Sequence, residues 1–136
     1  MLTRAQENLI KSAQTKKGRE HSGLVLVEGE KLIAEAGDLV ELVFDENDSS
    51  RFSQLVTTVT PQMKAALAKL PRWGLGDVLK KNTVVVLDHI QDPGNLGTIL
   101  RGALAFDAGL VLVECVDAGN PKVIRGSAGA VFHVPW

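Results

Sequence analysis

The chain has 136 residues, 15 basic and 16 acidic side chains and a formal net charge of −1, with 45% hydrophobic and 23% charged residues. That balance excludes a wholly disordered chain, and near-neutral charge alone gives no reason to expect a nucleic-acid binder. No apolar run reaches about 18 residues, the opening MLTRAQENLIKSAQTKKGR lacks the apolar core of a secretion signal, and the single Cys115 excludes an internal disulfide and a Cys-rich zinc centre, so no membrane span and a reducing cytoplasm are expected.

The charge is unevenly spread. Residues 1–23 carry Arg4, Lys11, Lys16, Lys17 and Arg19 against Glu7 and Glu20, whereas residues 35–48 carry Glu35, Asp38, Glu41, Asp45, Glu46 and Asp48 with no Lys or Arg. The basic arm reads either as a solvated helix face or as a surface for phosphates. Thr3 is placed to cap a helix over about 4–17 that Gly18 would end. LVLV at 24–27 reads as a buried strand, EGEKLIAEAG as a short helix closed by Gly37, and LVELVF at 39–44 as a second strand. ENDSSR at 45–51 is a polar loop, and VTTV at 56–59 reads as a third, β-branched strand. PQMKAALAKL reads as a helix from Pro61 through Leu70, with Pro in its first turn.

PRWGLG at 71–76 breaks the pattern and is the best linker candidate. NTVVVLDHI then gives the strongest strand signal in the chain. QDPGN is a turn, LGTILRGALAFDA a helix, and LVLVECV at 110–116 a second buried strand holding Cys115 as an inert thiol. A short helix over 122–129 and a strand-like AVFHVPW close the sequence. Strand, helix, strand predicts a βαβ unit with a parallel sheet and a right-handed crossover.

Ligands of open α/β sheets bind beyond the carboxyl ends of the strands, which makes DHIQDPGNLGTILR at 88–101 the informative turn. Gly94 and Gly97 permit close backbone approach. Asn95 can cap the helix or offer its amide to a ligand. Arg101, less than two helical turns later on a largely apolar helix face, should have an anionic or carbonyl partner, because an unpaired arginine is rarely buried. The segment is neither a phosphate-binding loop with Lys and Ser/Thr nor GxGxxG, and on local physics a structural turn and a ligand site are equally open. A second cluster, GNPKVIRGSAGAVFHVP at 119–135, brings Lys122, Arg125 and Ser127 together among small residues. His21, His89 and His133 show no metal-ligand spacing, so no metal is expected. No serine lies in a GxSxG elbow.

LDHIQDPGNLGTILRGALAFDA followed by NPKVIRGSAGAVFHVP strongly resembles the SpoU/TrmH family of RNA ribose 2′-O-methyltransferases, within the SPOUT superfamily. NLIKSAQTKKGREHSGLVLVEGEKLIAEA is similar to that family's RNA substrate-binding domain. The resemblance implies an α/β protein. A small N-terminal α/β/α substrate-binding domain over 1–72 would be followed, over 73–136, by the first βαβ part of a trefoil-knotted SPOUT methyltransferase domain. It implies S-adenosylmethionine as cofactor, rRNA or tRNA as structured RNA substrate, and a homodimer.

Carried over by motif position, Asn95 and Arg101 are the implied catalytic pair, with Gly94, Gly97 and Ser127 as active-site neighbours. Arg4, Lys11, Lys16, Lys17, Arg19, Lys122 and Arg125 are the implied RNA contacts. An arginine is always charged, so phosphate anchoring and electrostatics suit Arg101 better than a base role. The family's later Gly-rich GxEG-type loop and Ser-Leu-Asn segment are missing, and residues 60–83 lack the expected closing strand. The chain therefore reads as the first half of a methyltransferase. The alternative is a non-catalytic RNA-binding module or a decayed homologue without the cofactor motifs.

Overall fold

The computed structural model describes residues 1–59 and 62–136. The chain divides into two compact units, Met1–Leu70 and Pro71–Trp136.

The first unit opens with α1 (Arg4–Ser12). Thr3 caps it reciprocally: the Gln6 N–H donates to the Thr3 hydroxyl at 3.2 Å, and the Thr3 N–H donates to Gln6 Oε1 at 2.8 Å. The expected single helix over 4–17 is in fact two. Thr15 accepts from the Gly18 N–H and starts α2 (Lys16–Ser22), so Gly18 lies inside a helix instead of ending one. Glycine is required there because an added Cβ would lie 1.9 Å from the Ser12 carbonyl oxygen. Gly23, at φ +71°, ends α2 in the left-handed conformation.

Next come β1 (Leu24–Glu28), α3 (Glu30–Ala36), β2 (Val40–Asp45), α4 (Phe52–Leu55) and β3 (Lys64–Lys69). The sheet order is β1-β3-β2, with β3 central and antiparallel to both neighbours. This corrects two expectations, since KAALAK is a strand and not a helix, and a closing strand is present within 60–83. Alanine favours helix in isolation, but Ala65, Ala66, Leu67 and Ala68 are all buried because a central strand covered on both faces needs apolar residues throughout. Ile10 of α1, Ala13 just past its end and Leu55 of α4 pack together with Leu26, Phe44 and Leu67; α3 packs against β1 and β3. Phe44 and Phe52 meet edge to face at 5.8 Å. The helix start expected at Pro61 lies outside the described residues.

The third strand expected at VTTV does not form. Glu28, 3% exposed at the end of β1, takes that segment's donors. Its carboxylate accepts from the Thr57 N–H and Thr57 hydroxyl at 2.6 Å each, and from the Thr58 N–H at 3.2 Å. A glutamine would turn an NH2 group toward these donors. Glu28→Gln is therefore expected to destabilise this unit by about 2 kcal/mol, read as a lower midpoint in thermal unfolding; an unchanged midpoint would remove the carboxylate from this role.

In the second unit, α5 (Leu75–Leu79) follows the linker and is not evident from the sequence. β4 (Thr83–Asp88) pairs in parallel with β5 (Ala108–Val113), and α6 (Pro93–Ala105) connects them. This is the expected βαβ unit. The core joins Leu96 and Leu100 of α6 to Leu110 of β5 and to Val123 and Ile124 of α7 (Pro121–Gly126). β5 stops before Cys115, which is half-buried beyond the strand, with its thiol 3.4 Å from the Leu87 and Val113 carbonyl oxygens. AVFHVPW is buried largely as expected but forms a 3-10 turn over Ala130–Phe132. The Leu110 N–H donates to the Pro135 carbonyl at 2.9 Å.

After α7, Ala128 at φ +51° and Gly129 at φ +85° reverse the chain. A left-handed alanine costs about 1–2 kcal/mol, more than the unfolded-state entropy a glycine adds. Ala128→Gly is expected to stabilise by about 0.5–1 kcal/mol on that difference; a fall in the urea midpoint would contradict the conformation.

Candidate active site

The turn from β4 into α6 sits at the carboxyl ends of both parallel strands. Asp92, not Asn95, caps α6: the Asn95 N–H donates to Asp92 Oδ2 at 2.8 Å, and Pro93 occupies the first helical position. DPGN, expected as a separate turn, is thus the helix start itself. Asn95 has an exposed side chain, and so does Arg101. Among the described residues none hydrogen-bonds or ion-pairs with the Arg101 guanidinium. The six-residue separation puts these two about 9 Å apart along the axis and about 120° apart around it. They share one helix and one exposed region but make no mutual contact.

The two sequence clusters meet at α6 and α7. An added Cβ on Gly97 would lie 2.5 Å from the Gly126 carbonyl carbon and 2.7 Å from the Ser127 nitrogen. A Cβ on Gly126 would lie 3.7 Å from the Cα atoms of both Gly94 and Gly97. Gly97 therefore serves helix packing, and the seam is closed by backbone. Ser127 is 1% exposed; its hydroxyl donates to the Ile124 carbonyl at 2.9 Å and accepts from the Val131 N–H at 3.4 Å. The hydrogen bonds of that side chain are made within the fold, beside Gly97. Lys122 is exposed on α7, and Arg125 is half-buried.

Sequence reasoning missed the cluster that links the strand ends. His89 Nδ1 lies 2.5 Å from Asp88 Oδ1, and its Nε2 lies 2.5 Å from Glu114 Oε2. His89 and Glu114 both have positive φ, +56° and +48°. The His89 N–H donates to the Val113 carbonyl at 2.9 Å, and the Val116 N–H to the Ile90 carbonyl at 2.8 Å. These bonds tie the β4–α6 turn to the loop after β5. Only the three-dimensional pairing of β4 with β5 brings positions 89 and 114 together, so no local signal marks them. Among the described residues no group of three or more His, Cys, Asp or Glu could hold a metal ion, and no helix is long and apolar enough to cross a membrane.

In the first unit, Arg4, Lys11, Lys16 and Lys17 are exposed, with Lys16 pairing to Glu20 at 3.9 Å. Arg19 departs from the expected basic surface. It is 7% exposed, and its Nη1 donates to the Ala13 carbonyl at 3.1 Å, closing the break between α1 and α2. The Asp45 N–H, and then the amino terminus, hold the Asp48 carboxyl below the usual carboxylate value. Its contribution to stability is thus present at neutral pH and lost as pH falls through that lowered value. Glu30, hydrogen-bonded at 2.9 Å, raises the Lys64 ammonium above its ordinary value.

Residues 82–136 match the SpoU rRNA Methylase family. Over 92% of its length the chain is 36% identical to the 23S rRNA (guanosine(2553)-2′-O)-methyltransferase RlmP of Bacillus subtilis, of which it covers 58%. Over 93% it is 32% identical to the mitochondrial rRNA methyltransferase 3 of Xenopus laevis, of which it covers 38%. The chain thus spans little more than half, or less, of these curated relatives. A solved Porphyromonas gingivalis protein described as a TrmH-family RNA methyltransferase superposes over 99% of this chain and 62% of its own, with a TM-score of 0.85 and 28% identity. An AdoMet-bound rRNA methyltransferase from Sinorhizobium meliloti does so with a TM-score of 0.80, also at 28% identity and covering 61% of that protein. Fold, motif and sequence agree in their likeness to the SpoU/TrmH family, whose model matches residues 82–136.

Proposed function

We propose that the chain carries the RNA-gripping unit and the first-motif region of an S-adenosylmethionine-dependent RNA ribose 2′-O-methyltransferase. Met1–Leu70 is the RNA-binding unit, and Pro71–Trp136 begins the catalytic domain. The observation that carries the reading is the exposed Asn95 amide at the carboxyl ends of the parallel strands, with Arg101 exposed further along α6 and without a partner among the described residues. The names of the relatives supply the reaction and favour rRNA as substrate.

The open groups at this turn fit the RNA side of the reaction. Arg101 suits a phosphate flanking the target ribose, since a guanidinium pairs with phosphate through two parallel N–H groups. Asn95 offers both a donor and an acceptor to a ribose hydroxyl. The Gly97–Gly126 seam is filled by backbone and leaves no slot for an adenosyl group, so no residue there is assigned to the cofactor. When bound, S-adenosylmethionine supplies an electrophilic methyl on a sulfonium. The full enzyme acts in the cytoplasm as a homodimer.

The test is methyl transfer from tritiated S-adenosylmethionine to rRNA by the full-length protein, followed by alkaline hydrolysis. A methylated 2′-oxygen cannot attack its own phosphodiester, so the label should be recovered in alkali-resistant dinucleotides. Label recovered only in mononucleotides would overturn ribose methylation.

A further inference from the structure

We propose that Arg4 and Arg51 form a two-guanidinium clamp for one backbone phosphodiester of RNA. The proposal rests on the RNA-binding reading above and gives it a specific contact. In the sequence, Arg51 follows an acidic stretch and belongs to no basic cluster. The fold moves it to the first turn of α1. The Leu2 N–H donates to the Asp48 carbonyl at 2.8 Å, and the amino group of Met1 lies 3.3 Å from Asp48 Oδ1. The Ser49 hydroxyl donates to Glu7 Oε1, while Glu7 Oε2 lies 3.7 Å from Arg51 Nη1. The loop after β2 is therefore stitched to the start of α1 along its length.

This stitching leaves an open pocket of about 420 Å³ lined by Leu2, Arg4, Glu7, Ser50 and Arg51. Glu7 is the most enclosed of its ion pair, with a side chain 16% exposed against 59% for Arg51. It fixes one edge of the Arg51 guanidinium, and the rest of that group faces solvent. Arg4 is exposed and, among the described residues, has no ion-pair partner. Two guanidiniums and one carboxylate leave a local charge of +1, which one phosphodiester neutralises. The planar guanidinium fork matches phosphate oxygens, and Glu7 holds Arg51 on one side of the pocket.

The test is fluorescence anisotropy with a fluorescein-labelled RNA hairpin across a KCl series. It compares the wild-type chain with Arg4→Gln, Arg51→Gln and the double variant, each shown to be folded by circular dichroism. Each single variant is expected to weaken binding about fivefold to tenfold and to lower the slope of log K against log salt by about one. The double variant should lose little more than either single, because one phosphate is lost only once. Arg51→Lys should recover only part of the loss, since it keeps the charge without the fork. Single variants with wild-type affinity and slope would overturn the clamp and leave RNA binding standing. Additive losses would assign the arginines to separate phosphates and overturn the shared site. No hairpin binding by the wild-type chain would overturn both the clamp and the RNA-binding reading.

Discussion

Arg101→Ala is expected to reduce methyl transfer by the full-length protein about a hundredfold while leaving its stability nearly unchanged. The two halves of this expectation come from the same observation. Arg101 is exposed on α6 and, among the described residues, holds no other group in place. A surface substitution away from any cap, core or network usually moves stability by less than about 0.5 kcal/mol. Losing a phosphate anchor lets the target ribose move, and a misplacement of about 1 Å can cost on the order of 100-fold in rate. Arg101→Lys separates charge from geometry. If the guanidinium engages a phosphate through its fork, lysine will recover only a small part of the rate. The measurements are tritiated methyl incorporation into rRNA and urea unfolding on the same preparations. A wild-type rate in Arg101→Ala would remove this residue from the reaction. A large fall in the urea midpoint would make its role structural.

The βαβ unit was legible because its periodicity and its turn agree. VVVL is followed by a Pro-containing helix start, then by a second apolar run, and the parallel pairing of Thr83–Asp88 with Ala108–Val113 follows. The first unit was less legible where tertiary context overrides local preference. KAALAK has the composition of a helix, and only its central place between β1 and β2 makes it a strand. VTTV has the composition of a strand, yet the Glu28 carboxylate takes donors that a ladder would need.

The site divides in the same way. Asn95 and Arg101 were identifiable from the motif, and both are exposed as a ligand contact requires. Charge alone could not separate Arg19, which closes a helix break, from Lys17, which stays at the surface. Nor could it place Arg51 beside Arg4, because the hydrogen bonds that bring them together join residues more than 40 positions apart. The His89 bridge to Glu114 is hidden for the same reason.

Two glycines on α6 should respond to alanine with opposite signs. Gly102 has nothing within 4 Å of the position a Cβ would take. Gly102→Ala therefore gains the helix preference of alanine, up to about 1 kcal/mol. Gly97→Ala gains the same preference but drives its methyl to 2.5 Å from the Gly126 carbonyl carbon and 2.8 Å from the Gly126 Cα. Those neighbours are backbone and cannot rotate away, so α6 and α7 must separate. Separation would disturb buried Leu96, Val123 and Ile124 and the Ser127 hydroxyl bonded to Ile124. Overpacking of this kind costs about 1–3 kcal/mol, and backbone opposition puts Gly97 at or above the upper end, for a net loss of about 2 kcal/mol. Urea unfolding of the two variants reads the difference directly, and the shared helix cancels any general effect of alanine on α6. If Gly97→Ala raised the midpoint as Gly102→Ala should, the close approach of α6 to α7 would be wrong. Because Asn95 sits two residues before the contact, displacement of α6 should also move its amide. Gly97→Ala is then expected to lower methyl transfer in protein that remains folded, whereas Gly102→Ala should leave Asn95 where it is.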